Sequence, residues 1–258
     1  MRLQGRKAVI TGTATGIGRE IARLFAREGA TVVGLDWDEP GNAETADMIR
    51  AAGGSCQALT CDVSKAADVA KSFASAGQLD ILVNNAASAN GDGPLAELSE
   101  EAWDQVLNIC LKSVFLCTRE ALKSMLPRRA GAIVNLSSVN ALTGINLSAY
   151  TAAKGGILSL TRLLAAHYGP YGIRTNAICP GTILSDTSDQ YYSQHPEIKA
   201  ELSGLYPAGK FGKVRDVSVA ALYLASDDSA FINGTTLTID GGLSAVHRLS
   251  VATPKVAD

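Results

Sequence analysis

Three things are missing from this chain of 258 residues: an excess of charge of either sign, long apolar runs and paired cysteines. Each absence closes a class of function. The 23 basic and 25 acidic residues are mixed along the chain, so nothing offers an electrostatic footprint to nucleic acid or an anionic membrane, and neither partner is expected. No apolar stretch is long enough to cross a bilayer, and the N-terminus enters a short apolar run at once, without a signal-peptide region. The expected compartment is cytoplasmic. The five cysteines (Cys56, Cys61, Cys110, Cys117, Cys179) are odd in number and lack Cys-x-x-Cys spacing, which suits reduced, mostly buried thiols and no metal site. Gly-Lys-Ser/Thr is absent too, which argues against a nucleotide-triphosphate P-loop.

What is present is an alternation. Short β-branched runs at Ala8 to Thr11, Thr31 to Leu35, Gln57 to Thr60, Ile81 to Asn84, Ala132 to Leu136, Thr175 to Ile178 and Thr236 to Ile239 are separated by longer segments of helical period. That order predicts an α/β fold, a Rossmann-type doubly wound sheet of seven parallel strands with helices on both faces. Several runs are almost continuously apolar, as strands covered on both faces must be. No Pro/Gly/Ser-rich linker interrupts the pattern, so residues 1–258 read as a single domain. Residues 184–210 are polar and aromatic between two clear elements, an insertion of the length expected of a substrate lid. The last residues, 250–258, have weak periodicity and are expected to form a flexible tail.

After the first run comes Thr11-Gly12-Thr13-Ala14-Thr15-Gly16-Ile17-Gly18, followed by an amphipathic segment from Arg19 to Arg27. Glycines between strand and helix let the backbone approach a pyrophosphate, which the unpaired amides of the helix N-terminus attract. Asp36 ends the second run, where a carboxylate can accept hydrogen bonds from an adenosine ribose and repel a 2′-phosphate. No Arg or Lys stands at Thr13, Ala14, Thr15 or Trp37 to offset it, so the expected cofactor is NAD and not NADP. Asp62 and Val63, after the third run, are placed to meet the adenine edge, and Asp62 alternatively shapes a turn.

Tyr150 and Lys154 stand four residues apart in a helical segment and share one face. An ammonium held beside a phenol favours the phenolate, so such a pair can exchange a proton with a substrate oxygen.

These motifs, with Asn84-Asn85-Ala86-Ala87, a serine pair upstream of the tyrosine and Pro180-Gly181-Thr182-Ile183, make residues 5–243 resemble the short-chain dehydrogenases/reductases. The resemblance implies NAD-linked interconversion of a secondary alcohol and a ketone. Tyr150 is then the acid or base, Lys154 lies beneath it and holds the nicotinamide ribose, and Ser138 hydrogen-bonds the substrate oxygen, with Ser137 as its rival. It also implies cofactor contacts at Asn85, Ala86, Pro180, Gly181, Ile183 and Ser185, a sheet-stabilising amide on Asn84 that ties neighbouring backbone, and a homotetramer. One position departs from the pattern. Cys110 stands where the family has an asparagine that perturbs its helix, so that a main-chain carbonyl can bind a water relaying protons from the lysine; the carbonyl of Cys110 could still do this. Asn108 lies about 200° around the helix and cannot simply replace it.

Candidate substrate contacts are Ser88, Asn90 and Asp92 after the fourth run, Asn140 and Asn146 near the serines, and Tyr191, Tyr192 and His195 in the insertion. Hydrogen-bonding groups around a cleft fit a sugar, polyol or sugar acid better than a steroid. Two other readings stand beside this one: a 3-oxoacyl-carrier-protein reductase using NADPH, with Arg128 and Arg129 docking the acidic carrier, and an NAD-binding regulator without turnover.

Overall fold

Alternation along the strands decides how the sheet is buried. In β1 (Lys7–Thr11), Ala8 and Ile10 face one way and join Val32, Ile81 and Val83 in an apolar cluster that also takes Ile21 and Phe25. Val9 faces the other way, with Val33, Leu35, Leu82 and Ile133, and packs against Phe73, Leu116 and Met125. Both faces are therefore covered, which is why the runs carry so few polar residues. Fully burying a side chain such as that of Phe25 contributes about 1.5–3 kcal/mol relative to leaving it exposed.

This computed structural model describes residues 1–144 and 147–246, and of Asp186 and Thr187 only the backbone. The remaining main strands are β2 (Thr31–Asp36), β3 (Ser55–Thr60), β4 (Ile81–Asn84), β5 (Gly131–Leu136), β6 (Ile173–Pro180) and β9 (Thr236–Ile239). They pair in the order β3-β2-β1-β4-β5-β6-β9, every neighbour parallel. The seven expected strands are all present, in the expected doubly wound arrangement. Helices α1 (Gly16–Arg27) and α9 (Val214–Ala225) pack together on one side of the sheet, α3 (Ala66–Ala76) and α5 (Ser113–Arg128) on the other, and α2 (Glu39–Ala51) follows β2. The helix α6 (Ser148–Tyr168) lies against β6 and against α4 (Glu100–Leu107).

Strand order reverses between β1 and β4. Ligands of open parallel sheets bind beyond the carboxyl ends of the strands at such a reversal, because the two outgoing loops part there. Gly12, Asp36, Asn85, Ser138 and Gly181 all lie just at or past such strand ends. The segment over 184–210 is not a bare loop. It opens with β7 (Ile183–Leu184), which pairs with β8 (Gly212–Lys213), and carries α7 (Asp186–Gln194) and α8 (Pro196–Ser203) between them. The tail over 250–258 lies outside the described residues.

Candidate active site

A cleft of about 1050 Å³ opens at the strand reversal. Its floor is the glycine turn. Gly12 has φ +73°, and a Cβ added there would fall 2.7 Å from the side-chain nitrogen of Asn85. At Gly18 a Cβ would stand 1.9 Å from the Gly12 carbonyl oxygen, so only glycine lets α1 start this close to the turn. Asn85 donates its side-chain amide to the carbonyls of Thr11 (2.9 Å) and Gly12 (3.0 Å), while the Thr11 hydroxyl accepts from the amides of Asn85 and Ala86. Thr15 precedes α1 in extended backbone and spends no side-chain oxygen on its amides. Across from Gly16, whose Cβ would approach nothing nearer than Ser185 at 3.6 Å, the turn is open. Thr15, Gly16, Ile17, Ile183 and Ser185 line this space, which fits a diphosphate lying on the helix N-terminus.

Asp36 sits at the end of β2 with only 7% of its surface exposed. Its carboxylate accepts from the backbone nitrogens of Ala14 (2.8 Å) and Asp38 (3.0 Å), which aims it along the cleft wall beside the exposed ring of Trp37. Val63 and Asp62 follow. Burial opposes ionisation of Asp62, but hydrogen bonds from the Ser64 hydroxyl (2.6 Å) and amide (3.0 Å) and from Lys65 hold its carboxyl below the ordinary value. Its side chain thus shapes the turn, the alternative the sequence left open, while the residue still forms part of the wall.

Tyr150 and Lys154 project from the first turns of α6. The Lys154 ammonium lies 5.2 Å from the centre of the Tyr150 ring. Lys154 is among the most buried side chains, and it donates one hydrogen bond to the Leu136 carbonyl at 2.8 Å. A lysine so deep is held by carbonyl dipoles, and an ammonium has two further hydrogens for a ligand. The serine pair divides cleanly. Ser137 gives its hydroxyl to the Lys154 carbonyl (2.8 Å) and so braces α6. The Ser138 hydroxyl stays within its own loop, donating to the Asn140 side-chain oxygen (3.1 Å) and accepting from the Asn140 backbone amide (3.2 Å). Of the two, Ser137 has its hydroxyl committed to the backbone of α6. The side-chain nitrogen of Asn140, Nδ2, is buried with no hydrogen-bond partner among the described residues.

Between α4 and α5 the chain forms a π-turn over Asn108–Lys112, in which the amide of Ser113 reaches back to the carbonyl of Asn108. The expected perturbation of this helix is present with cysteine in place of asparagine. The thiol of Cys110 donates to the Ser88 carbonyl (3.2 Å) and accepts from the Ser88 amide (3.4 Å), tying the loop after β4 to the turn. Asn108 instead lines the cleft, as its different helix face requires.

Several expectations change. Among the described residues, the Asn84 amide donates to side chains and not to backbone: to Asn135 on β5 (2.9 Å) and to Thr118 on α5 (3.2 Å). The backbone ties belong to Asn85. Asp92 does not face the cleft, because its carboxylate accepts from the backbone of α6. Ser88 and Asn90 do line it. Ser185 lines it and also caps α7 in a reciprocal pair with Ser188. Pro180 is buried at the end of β6, and Gly181 donates its amide to the Ile239 carbonyl at 2.9 Å. In the insertion, Tyr192 packs on Phe211, and Tyr191 stacks on His195 at 4.4 Å between ring centres. Asn146 lies outside the described residues. Sequence reasoning missed Glu101, Asp104 and Gln105, which share the Asn108 wall of the cleft. Their spacing at i, i+3, i+4 and i+7 is the signal that would have found them.

A doubly wound sheet with a glycine-floored diphosphate cradle and a buried lysine under a tyrosine defines an oxidoreductase that works with a nicotinamide dinucleotide. A sequence profile of the family described as enoyl-(acyl carrier protein) reductase matches residues 12–244. The chain is 40% identical over 253 residues to the 2-(S)-hydroxypropyl-CoM dehydrogenase 3 of Xanthobacter autotrophicus, covering 95% of this chain and 99% of that one. It is 39% identical to the 3beta-hydroxysteroid dehydrogenase 1 of Eggerthella lenta, over 94% of this chain and 95% of that one. Among solved structures, a candidate 2-deoxy-d-gluconate 3-dehydrogenase of Agrobacterium tumefaciens with bound NADP superposes with a TM-score of 0.87 at 37% identity, over 95% of this chain and 98% of that one. The chain belongs to the short-chain dehydrogenases/reductases.

Proposed function

We propose that the chain is an NAD-dependent dehydrogenase interconverting a secondary alcohol and a ketone on a small, polar, hydroxylated molecule such as a sugar, polyol or sugar acid. The observation that carries the reading is the buried Lys154 ammonium 5.2 Å from the Tyr150 ring, with Ser137 bonded to the Lys154 carbonyl and the next residue, Ser138, holding its hydroxyl on Asn140. Tyr150, as phenolate, takes the hydroxyl proton and becomes the phenol, and the Ser138 hydroxyl turns from Asn140 to donate to the same substrate oxygen. Lys154 keeps its bond to Leu136 and offers its other hydrogens to ribose hydroxyls. Gly12, Thr15, Gly16, Ile17 and Gly18 hold the diphosphate, Asp36 the adenosine ribose, Asp62 and Val63 the adenine, and Asn85, Ala86, Pro180, Gly181, Ile183 and Ser185 the nicotinamide end. When bound, the nicotinamide supplies the hydride acceptor.

NAD is favoured over NADP by charge. The cleft wall carries Asp36, Asp38, Asp62, Glu101 and Asp104, and no Lys, Arg or His lines it among the described residues. A relative with NADP bound shows that this scaffold can take the phosphorylated form, so the preference rests on these side chains. The relatives act on a coenzyme M conjugate and a steroid, and family membership therefore does not name the substrate. The polar class rests on Ser88, Asn90 and Asn140, with the insertion's Tyr191 and Tyr192 as its lid. No helix among the described residues is long and apolar enough to cross a membrane, and the cysteines are unpaired, which supports the cytoplasm. A homotetramer is the expected assembly.

The carrier-protein reductase is disfavoured by its own candidate patch. Arg128 is paired with Asp80 at 2.7 Å, which neutralises its charge, while Arg129 holds the Pro170 carbonyl at 2.6 Å and covers the Tyr171 ring, so the patch offers an acidic carrier much less than two arginines in sequence suggest. The test is NADH formation across polyols, aldoses, sugar acids, hydroxy acids and steroid alcohols. Turnover confined to the steroids would sink the polar class, and NADPH-linked turnover alone would sink the cofactor assignment.

A further inference from the structure

Tyr150 lies in the first turn of a helix whose cap residue supplies no side-chain hydrogen bond. Leu147 occupies the cap position of α6 and carries no side-chain oxygen. The acceptor comes instead from the loop after β4. Asp92 sets one carboxylate oxygen 3.1 Å from the Ala149 nitrogen and the other 2.8 Å from the Tyr150 nitrogen. These are the second and third amides of the helix, the ones a capping oxygen takes. The first oxygen also accepts from the amide of Gly93 at 2.8 Å, which fixes the carboxylate against its own loop. Ser148 returns the tie, donating its hydroxyl (2.8 Å) and its amide (3.3 Å) to the Gly93 carbonyl. At the loop's other end, the Cys110 thiol holds both backbone groups of Ser88. The loop is therefore fastened at one end to the helix that carries Tyr150 and at the other to the π-turn.

We infer that Asp92 is a positioning residue for Tyr150, and that the Cys110–Ser88 pin keeps the loop where Asp92 can act. The inference rests on the reading of Tyr150 as the proton-transfer group. First turns of helices fray when their amides lack partners, and the phenol oxygen sits at the far end of a ring projecting from that turn. A small tilt of the backbone is therefore magnified at the reacting atom. The carboxylate touches no reacting group, so its loss acts on the rate through geometry and leaves the diphosphate cradle, built on β1 and α1, in place.

Asp92→Asn keeps the size and removes one acceptor. Whichever way the amide turns, its NH₂ faces a backbone N–H that had an acceptor. With the secondary alcohol that the unmodified chain oxidises fastest, the expected result is a fall in kcat of roughly 10- to 100-fold, the factor that about an ångström of misplacement costs at a reacting centre. KM for NAD stays within about twofold, since the cradle is not involved. Amide hydrogen exchange at Ala149 and Tyr150 becomes faster. Asp92→Ser, with a single shorter acceptor, is the second variant and falls between the two. Asp216→Ala is the control, because Asp216 accepts from the Lys213 amide at the start of α9, a helix without a reacting group, and its loss is expected to leave kcat unchanged. Unaltered exchange in the first turn of α6 would overturn the inference, and so would faster exchange with kcat unchanged. If the unmodified chain oxidised no alcohol, the reading of the site would fall, while the exchange measurement would still decide whether Asp92 holds the tyrosine's turn.

Discussion

Replacing Asp36 by asparagine separates the two cofactors with almost no change of shape. On the NAD side the variant loses hydrogen bonds between a charged acceptor and ribose hydroxyls, each contributing about 1.5–3 kcal/mol. That corresponds to a fall in kcat/KM of roughly 10- to 100-fold. On the NADP side it removes repulsion between a carboxylate and the 2′-phosphate. Two unit charges about 4 Å apart repel by about 1 kcal/mol in water and by about 4 kcal/mol at an effective dielectric near 20. At 7% exposure Asp36 lies towards the second figure, so a gain of more than about fivefold for NADP is expected. Together the NAD-to-NADP ratio of kcat/KM should shrink by at least about 50-fold, read from initial rates with each cofactor. There is a structural cost as well. The new NH₂ must face the amide of either Ala14 or Asp38, both now acceptor-bound. One unsatisfied buried donor costs about 1–3 kcal/mol, so thermal unfolding should show Tm lower by several degrees. An unchanged ratio, or an unmodified chain that already prefers NADP, would refute the reasoning.

Three more outcomes are expected. Tyr150→Phe keeps the ring and deletes the acid, so alcohol-dependent NADH formation should fall by about 10²- to 10⁴-fold while cofactor fluorescence still reports binding; retained turnover would contradict the mechanism. Burial opposes ionisation of Asp80, but bonds from Arg128 (2.7 Å) and the Lys7 amide (2.8 Å) hold its carboxyl below the ordinary value. Its contribution is therefore present above the unfolded pKa of about 3.9 and lost as pH falls through the lower folded value. Asp80→Asn should lower the urea midpoint at pH 7 and converge on the unmodified chain in acid; a constant gap would exclude the ion pair as its source. Burial pushes the Cys56 thiol up to about 11 and raises those of Cys61, Cys117 and Cys179, so a disulfide reagent at pH 8 should label these four slowly until denaturant is added. Rapid labelling of Cys56 in the native chain would show its site to be open.

Periodicity made the main sheet legible, because a strand covered on both faces is apolar in sequence whatever its neighbours are. Its ends were less so: β3 starts at Ser55 and β6 runs from Ile173 through Pro180, with pairing continuing past the apolar run. The pair β7 and β8 could not be seen, since two-residue strands carry no period and Ile183 meets Gly212 only through the fold. Within the insertion the helices are polar, yet Ser185 before α7 and Pro196 opening α8 are ordinary helix-start signals. In the site, residues whose chemistry is local were legible: the glycine turn, Asp36, and the tyrosine and lysine on one helix face. Roles set by a distant partner were not. Asp92 looked like a polar cleft residue because the amides that donate to it lie 57 and 58 residues away. Asn84 and Asn85 are adjacent in sequence, and only the packing assigns the backbone ties to the second.

The π-turn over Asn108–Lys112 holds one residue more than an α-helix would spend on the same rise. One surplus residue shifts everything beyond it by about 100° around the axis. That offset lets α4 lean on α6 while α5, continuing the same rod, addresses α3 and β4. The turn is in effect a swivel, and its length is as much a part of the enzyme as any side chain. A chain shortened by one residue there would have to choose which half of the rod to keep seated, losing either the wall behind Tyr150 or the packing beneath the sheet.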